Sequence, residues 1–259
     1  MEHNGKSAIV TGAGGGIGRA IAISLAQQGA SIAIADINAA AAAATADQIT
    51  GRGGTALAVA TDVADSSSVE AMGQRVLESF GSIDILINNA GVQHVDPLVD
   101  YPHDQWDRLI GIILTGTFLC TQVALRSMIP RRQGRIANIS STLGRVGAKY
   151  KPAYCAAKHG VIGLTRSAAL DVAELGITIN AVCPGVTNTE IVENQLNDLA
   201  RTHGINRDEV LEKVYFPDIP QKRVLDPQEI ADAVLFLCSE KAQAITGQAI
   251  NVSAGWVMR

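Results

Sequence analysis

The stretch TGAGGGIGRAIAISLAQQG, residues 11–29, begins at the end of a short apolar run and passes into a helical pattern. Gly12, Gly16 and Gly18 fall at the turn, with Ile17 between the last two. Glycines at such a turn let the backbone approach a pyrophosphate, and the helix N-terminus supplies N–H donors and a positive dipole. The spacing is TGxxxGIG rather than GxGxxG, and a Gly-rich loop alone also suits a plain tight turn. Its position inside a strand–helix–strand unit favours a dinucleotide-binding loop.

Short apolar runs alternate with longer helical patterns along the whole chain. The strand candidates are residues 7–12, 31–36, 55–63, 83–91, 134–141, 177–185 and 248–255. Most are continuously apolar, which is typical of strands buried on both faces, and their alternation with helices indicates a parallel sheet. We therefore predict one α/β domain over residues 1–259, doubly wound, with a seven-stranded parallel sheet and helices on both faces.

The chain between Pro184 and a helix start at Asp226 has no strand pattern. Its middle part reads as one or two amphipathic helices. Long inserted segments in compact domains are usually functional, and open α/β sheets bind ligands at the carboxyl edge of the strands. We predict a small helical lid over the substrate at about residues 190–222; the alternative is a helical insertion on the surface.

Composition excludes several classes of partner. The net charge is −4, with 47% hydrophobic and 18% charged residues, which suits a soluble protein with a large core and gives no basic surface for nucleic acid. The sequence has no Lys/Arg cluster for a membrane surface, no signal peptide and no run of about 18 apolar residues. Neither the histidines nor the cysteines have metal-ligand spacing, so no metal is expected. Cys120, Cys155, Cys183 and Cys238 form no CxxC pair and indicate reduced thiols of a cytoplasmic protein.

The second predicted strand ends at Asp36, eighteen residues after Gly18. A carboxylate at that edge can accept hydrogen bonds from both adenosine-ribose hydroxyls and would repel the extra phosphate of NADP. No arginine is adjacent in sequence, since the neighbours are Ala35, Ile37 and Asn38. This favours NAD as the cofactor, although Asp36 could also cap the following helix.

Six motifs follow one another in a fixed order: TGAGGGIG, Asp62-Val63, NNAG (88–91), Ser141, YCAAK (154–158) and PGVTNT (184–189). Together they resemble the short-chain dehydrogenase/reductase family over essentially the whole chain. The resemblance implies a single Rossmann-type domain, a nicotinamide cofactor and, usually, a homotetramer. It places Asp62 and Val63 beside the adenine, Asn88, Asn89, Ala90 and Gly91 along the cofactor cleft, and Pro184, Val186 and Thr189 at the nicotinamide amide.

Tyr154 and Lys158 are the candidate catalytic pair, and the resemblance also places both against the cofactor, with Lys158 holding its ribose. They lie at i and i+4 on a helix predicted to start near Pro152, so both side chains share one face. A tyrosine has a pKa near 10, and a nearby ammonium should lower it and allow proton transfer at neutral pH. Tyr150 has no lysine at i+4 and precedes the proline.

Ser141 matches the serine that polarises the substrate in the family. Its neighbour Ser140 should point to the opposite face of an extended strand. Two departures from the family pattern stand out. The Asn of the pattern NLxGxF, which holds a water of the proton relay through a local helix distortion, is replaced by Ile113. The C-terminal DGG is replaced by residues 253–255, SAG, which should affect packing.

Within the family, the second half of the chain is most similar to the D-3-hydroxybutyrate dehydrogenase group. By that resemblance, Gln93, Lys151 and Gln195 hold the carboxylate of a small 3-hydroxy acid, and Trp256, from this or a neighbouring subunit, packs on the site. A cation and two amides suit one carboxylate. Each residue also has a simpler explanation, such as a solvated loop position or core packing.

Leu143 stands where that group has a histidine, so one polar ligand is missing. The small-molecule substrate is therefore an alcohol or ketone, with a 3-hydroxy acid as first choice. A 3-oxoacyl thioester, a sugar alcohol or a cyclic ketone is the alternative. A catalytically weak NAD-binding module is a third option, which only Ile113 supports.

Overall fold

The computed structural model describes residues 1–258. Its centre is one sheet of seven parallel strands in the order β3-β2-β1-β4-β5-β6-β7, which confirms the predicted doubly wound fold. The strands are β1 Ser7–Thr11, β2 Ser31–Asp36, β3 Thr55–Ala60, β4 Ile85–Asn88, β5 Gly134–Ile139, β6 Ile177–Pro184 and β7 Ala249–Val252. Most end one to three residues before the predicted limits, where the chain turns into the loops of the carboxyl edge.

The helices are α1 Gly16–Gln27, α2 Ala39–Thr50, α3 Ser66–Phe80, α4 His103–Leu109, α5 Gly116–Arg131, α6 Pro152–Val172, α7 Glu190–His203 and α8 Pro227–Cys238. They cover both faces of the sheet. Buried residues of α1, α2 and α8 form one apolar cluster, and those of α3, α5 and α6 form another. Successive strand residues alternate between the clusters, because a pleated strand points its side chains to opposite faces. Ile9, for example, contacts the second cluster, whereas Ala8 and Val10 contact the first.

The strand order reverses between β1 and β4. After β1 the chain proceeds outward through β2 and β3, then returns to place β4 on the other side of β1. The loops that follow β1 and β4 therefore separate at the carboxyl edge and leave a crevice. Ligands bind at such a switch point in open α/β sheets.

A second feature is the segment between β6 and α8, where the sequence indicates a lid. α7 is followed by two short 3-10 turns, Arg207–Glu209 and Phe216–Asp218, with the π-helical turn Leu211–Tyr215 between them. Leu196, Leu199 and Tyr215 are buried in the same apolar cluster as α1 and α8. The segment is thus packed onto the domain beside the carboxyl edge.

The longest continuous helical stretch runs from His103 to Arg131 and, by length and apolar composition, could cross a membrane. It is not an uninterrupted apolar run, because Thr115, Thr117 and Gln122 lie within it, and the sequence expectation of no such run therefore stands. In the fold, Leu109, Ile113, Cys120 and Met128 are buried against the rest of the domain. We assign the stretch to the core of the domain.

Candidate active site

The Gly-rich loop between β1 and α1 is shaped by close backbone approach. Gly12 and Gly16 have φ values of +62° and +51°, which favour glycine. A Cβ on Gly12 would lie 2.8 Å from Cα of Ala90 in the loop after β4. A Cβ on Gly18 would clash with the carbonyl oxygen of Gly12 and with the amide of Asn89. Gly18 therefore allows α1 to pack onto the loop and, unlike the prediction, does not itself line the cleft.

Asn89 joins the two loops of the crevice. Its Nδ2 donates hydrogen bonds to the carbonyl oxygens of Thr11 and Gly12, each at 3.0 Å. The Thr11 hydroxyl in turn accepts hydrogen bonds from the backbone N–H groups of Asn89 and Ala90. The conformation of the Gly-rich loop is consequently fixed by the NNAG loop.

Asn88 is a correction to the sequence analysis, which placed it along the cofactor cleft. Its Nδ2 donates to Oγ1 of Thr121 at 3.0 Å and to Oδ1 of Asn138 at 2.8 Å. Both partners are buried and lie on α5 and β5. Asn88 therefore ties β4 to its neighbours inside the domain and does not face the cleft.

The loop fits a dinucleotide. The N-cap of α1 is Gly15, with no side-chain cap, and the first turn contains no acidic residue. A Cβ placed on Gly15 would meet no atom within 4 Å, so there is open space beside this helix end. N–H groups at an uncapped helix N-terminus, with room in front of them, suit phosphate oxygens.

Asp36 lies at the same end of the cleft, and both of its carboxylate oxygens are hydrogen-bonded. Oδ2 accepts from the Gly14 N–H at 2.8 Å, and Oδ1 accepts from the Asn38 N–H at 2.9 Å. The N-cap of α2 is Asn38, whose side chain accepts from the Ala41 N–H. The alternative role of Asp36 as the helix cap is therefore wrong.

A second charged residue of this end of the cleft, Arg19, is not indicated by the sequence around Asp36. Its guanidinium donates to the Gly14 carbonyl and, at 3.2 Å, to the hydroxyl of Thr45. Gly14 thus contacts a carboxylate through its N–H and a guanidinium through its carbonyl. The Arg19 guanidinium and the Asp36 carboxylate, which is predicted to select the cofactor, therefore contact the same residue, Gly14.

The cleft at the carboxyl edge has a volume of about 340 Å³. Of the predicted cofactor residues it is lined by Gly12, Gly16, Ile17, Asp36, Asp62, Val63, Asn89, Ala90, Gly91, Tyr154, Lys158, Pro184, Val186 and Thr189. The predicted catalytic Ser141 and the predicted substrate residues Gln93, Leu143, Lys151, Gln195 and Trp256 line it as well. The structure therefore brings all but Gly18 and Asn88 together in one continuous space.

The candidate catalytic residues come from the loop after β5 and from α6. Tyr154 and Lys158 lie one turn apart near the start of α6, and the Lys158 ammonium is 5.5 Å from the centre of the Tyr154 ring. Lys158 Nζ donates to the Ile139 carbonyl at 2.6 Å. The Tyr154 hydroxyl is hydrogen-bonded to the side chain of Ser141. Ser140 instead donates to the Lys158 carbonyl at 2.9 Å, so the two serines point apart.

Burial controls the protonation of this pair. Loss of water raises the pKa of Tyr154 to about 12 against the opposing hydrogen bond from Ser141, and lowers the pKa of Lys158 to about 8. Both shifts disfavour a charged form. The expectation that the ammonium lowers the tyrosine pKa is wrong for the protein alone. An oxidised nicotinamide ring carries a positive charge of its own, which favours the ionised tyrosine.

The helix distortion associated with the missing Asn is present. Residues Ile110–Thr115 form a π-helical segment, in which Gly116 donates its N–H to the Gly111 carbonyl. The Ile113 side chain is buried, and its carbonyl accepts a hydrogen bond from the Thr117 hydroxyl at 2.6 Å. The substitution therefore removes an amide but keeps the backbone shape.

Lys151, the residue before α6, is the most unusual residue of the substrate end. Its side chain is buried, and Nζ donates to Oε1 of Gln195 at 2.6 Å and to the hydroxyl oxygen of Tyr215 at 3.3 Å. Within residues 1–258, no carboxylate forms an ion pair with it. Burial lowers the pKa of Lys151 to about 8. A buried ammonium held only by neutral groups is well suited to bind an anion.

Two tyrosines near Lys151 have roles in the structure that the sequence does not indicate. Tyr215, which it did not single out, lines the cleft. Tyr150, which it left without a role, has a φ of +66° and stacks edge-on against His203 at the end of α7, with ring centres 5.5 Å apart. Its carbonyl accepts from the Asp96 N–H. Tyr150 therefore supports α7 and is not part of the cleft wall.

Residues 6–200 match the family model described as short chain dehydrogenase. The chain belongs to the short-chain dehydrogenase family. This family membership agrees with the parallel sheet, the Gly-rich loop at the switch point and the Ser–Tyr–Lys arrangement described above. It establishes an oxidoreductase that uses NAD(H) or NADP(H), without fixing the substrate.

Characterised and uncharacterised relatives cover nearly the full chain. An uncharacterised oxidoreductase of Bacillus subtilis is 45% identical over 249 residues, covering 96% of this chain and 97% of the relative. D-beta-hydroxybutyrate dehydrogenase of Rhizobium meliloti is 40% identical and covers 97% and 98%. 3-Oxoacyl-acyl-carrier-protein reductase FabG of Staphylococcus aureus is 41% identical and covers 98% of both chains. Identity alone does not choose between the last two activities.

Two solved structures share the fold. A variant of actinorhodin polyketide ketoreductase with NADPH superimposes with a TM-score of 0.95 at 31% identity, covering 100% of this chain and 99% of that one. Levodione reductase superimposes with a TM-score of 0.91 at 32% identity, covering 97% of each chain. The first of these structures shows that the same fold can hold NADPH.

Replacing Tyr154 with Phe should lower kcat by about 100- to 10,000-fold, because the ring stays in place while the proton-transferring hydroxyl is lost. Cofactor binding, measured by nicotinamide fluorescence, should be nearly unchanged. Tyr150→Phe is the matched control, four residues earlier and outside the cleft, and should retain activity. A Tyr154→Phe enzyme with near-normal kcat would show that another group transfers the proton.

Proposed function

We propose that the protein is an NAD-dependent dehydrogenase that interconverts a small 3-hydroxy acid and its 3-keto acid, with D-3-hydroxybutyrate as first choice. The observation that carries this proposal is the buried ammonium of Lys151. It lies in the same cleft as Tyr154 and Ser141 and has only neutral partners, Gln195 and Tyr215. A substrate with a carboxylate would supply the missing negative charge.

The energetic argument concerns desolvation. Moving an ammonium out of water costs several kcal/mol even after relaxation. Two neutral hydrogen bonds recover only a part, as the lowered pKa indicates. An ammonium has three N–H groups, and Lys151 uses two of them. The third is available for a ligand oxygen, so a carboxylate there is both oriented and electrostatically stabilised.

In the direction of oxidation, Tyr154 accepts the proton of the substrate hydroxyl, and Ser141 donates a hydrogen bond to the oxygen that becomes a carbonyl. A nicotinamide cofactor held by the Gly-rich loop and Asp36 would supply the hydride acceptor. Lys158, buried beside Tyr154, stabilises the phenolate when it is charged. Residues of the segment 190–222 cover the substrate, and exclusion of water strengthens each of these interactions.

NAD is the proposed cofactor because of Asp36. Its carboxylate lines the cleft where the adenosine ribose would bind, and a second negative charge in the form of a ribose phosphate would be repelled. Arg19, in the first turn of α1, is already hydrogen-bonded to Gly14 and Thr45, which restrains it from neutralising such a phosphate.

A second candidate is reduction of a 3-oxoacyl thioester. The FabG relative is as similar as the hydroxybutyrate dehydrogenase relative, and the buried Leu143 adds an apolar side chain to the substrate end. A thioester group carries no negative charge, however, and would leave the Lys151 ammonium uncompensated. A catalytically weak NAD-binding module is disfavoured because Ser141, Tyr154 and Lys158 meet in one cleft.

The proposal includes a cytoplasmic homotetramer. Large apolar side chains are exposed on helices, with Trp106 and Phe118 on the stretch from α4 to α5 and Phe236 on α8. Exposed apolar side chains on separate helices suit contacts with more than one neighbouring copy. All four cysteines are free thiols, which suits a reducing compartment.

Replacing Asp36 with Ala should shift the ratio of kcat/KM for NAD to that for NADP by at least about tenfold towards NADP, because like-charge repulsion is removed. The Arg19 guanidinium, which is hydrogen-bonded to Gly14, would then have no Asp36 carboxylate nearby. The control is Asn38→Ala, which removes the cap of α2 without changing charge. If the ratio is the same in both variants, Asp36 does not select the cofactor.

Replacing Lys151 with Met should raise KM for D-3-hydroxybutyrate by about 30-fold or more, since a buried charge contact is lost. KM for the neutral butan-2-ol should change little. Lys149→Met is the matched control, because Lys149 is exposed two residues earlier. Equal changes for the two substrates would exclude Lys151 as the carboxylate anchor.

The preference for a carboxylate substrate should also depend on pH. Since burial lowers the pKa of Lys151 to about 8, its charge is complete below that pH and lost above it. The ratio of kcat/KM for D-3-hydroxybutyrate to that for butan-2-ol should therefore fall above pH 8, by up to about tenfold per pH unit. Titration of Lys158 affects kcat/KM for both substrates equally, so its effect cancels in the ratio. A slope that persists in Lys151→Met would mean that another group titrates.

A further inference from the structure

Tyr215 lies at the end of the π-helical turn Leu211–Tyr215 in the segment between β6 and α8. Its side chain is 7% exposed and forms part of the cleft wall. The hydroxyl oxygen is 3.3 Å from Lys151 Nζ, and the centre of the ring is 5.5 Å from the same nitrogen. The tyrosine is thus in direct contact with the proposed carboxylate anchor, although the two residues are 64 positions apart in the sequence.

The direction of this hydrogen bond follows from chemistry. An ammonium has no acceptor, so Lys151 must donate and the Tyr215 oxygen must accept. The hydroxyl proton of Tyr215 is then directed elsewhere, and no acceptor for it is found among residues 1–258. Burial also raises the pKa of Tyr215 well above its ordinary value, so the hydroxyl keeps its proton at working pH.

Lys151 has one unused N–H group by the same reasoning, since Gln195 and Tyr215 accept the other two. The cleft therefore contains two hydrogen-bond donors without an acceptor, one N–H of Lys151 and the O–H of Tyr215. The nitrogen and the oxygen that carry them are 3.3 Å apart. A carboxylate has two oxygens that accept hydrogen bonds and can contact two neighbouring donors together.

We propose that Tyr215 is a substrate-binding residue that donates its hydroxyl proton to the carboxylate held by Lys151 and thereby selects carboxylate substrates. This inference rests on the proposed function. It also explains how a site with the apolar Leu143 can keep enough polar ligands, because the donor comes from the segment 190–222 on the other side of the cleft.

Gln195 has a different part in this arrangement. Its Oε1 faces the ammonium, and its Nε2 donates to the Ile191 carbonyl of its own helix at 3.2 Å. In this orientation the amide presents an oxygen where a carboxylate would approach, so it must turn before it can donate to the substrate. Tyr215 needs no such change, which makes it the better-prepared donor.

The test compares Tyr215→Phe with the unaltered enzyme on D-3-hydroxybutyrate and on butan-2-ol. The phenylalanine keeps the ring against Lys151 and removes only the hydroxyl. KM for the acid should rise about 10- to 100-fold, the range for a hydrogen bond to a charged group, while kcat and the KM for butan-2-ol change little. Tyr101→Phe is the control, because its hydroxyl is buried without a hydrogen-bond partner and lies outside the cleft wall.

The outcomes separate this inference from the proposed function. If Lys151→Met loses the preference for the acid but Tyr215→Phe keeps it, Tyr215 is not a carboxylate ligand and the proposed function stands. If Lys151→Met also keeps the preference, the proposed function fails, and the inference with it. Equal loss for both substrates in Tyr215→Phe, with a lower Tm, would assign the hydroxyl a structural role and overturn the inference.

Discussion

The close contact between the loop after β1 and the loop after β4 is the constraint on which the site depends. Asn89 donates two hydrogen bonds to the backbone of the first loop, and Gly18 allows α1 to approach without a clash. Because the loops are fixed, the N-terminus of α1 and Asp36 lie at one end of the cleft, and the start of α6 with Tyr154 lies at the other. A side chain at Gly12 or Gly18 would separate the loops and disturb both ends.

The fold could be predicted because its signals are local. Continuous apolar runs, a glycine turn and a capping box at Asp226 with Glu229 each identify an element without long-range information. The period of two along a strand could also have corrected the error at Asn88. Leu86 packs towards α5, so Asn88 must point the same way, and Asn89 must point back towards the first loop.

The remaining parts of the site depend on contacts between distant positions. Nothing near Asp36 in sequence indicates Arg19, because the guanidinium reaches Gly14 from the first turn of α1. Tyr215 lies in a segment whose helical pattern gives no hint of which residue faces Lys151. The pKa of Tyr154 depends on the fold for a related reason. Proximity to a lysine suggests a lower pKa, whereas the depth of burial, which only the fold determines, raises it.

Lys151 and Lys158 are the two buried lysines among residues 1–258, and burial lowers the pKa of both to about 8. One is held by the Ile139 carbonyl and the other by Gln195 and Tyr215, all of them neutral. Each buried ammonium lowers the stability of the domain until an anionic ligand compensates it. A ligand that binds only the folded state raises the free energy of unfolding. Affinity for an anion beside Lys151 is therefore linked to the folding of the domain, and the same burial that weakens the protein alone strengthens its hold on a carboxylate.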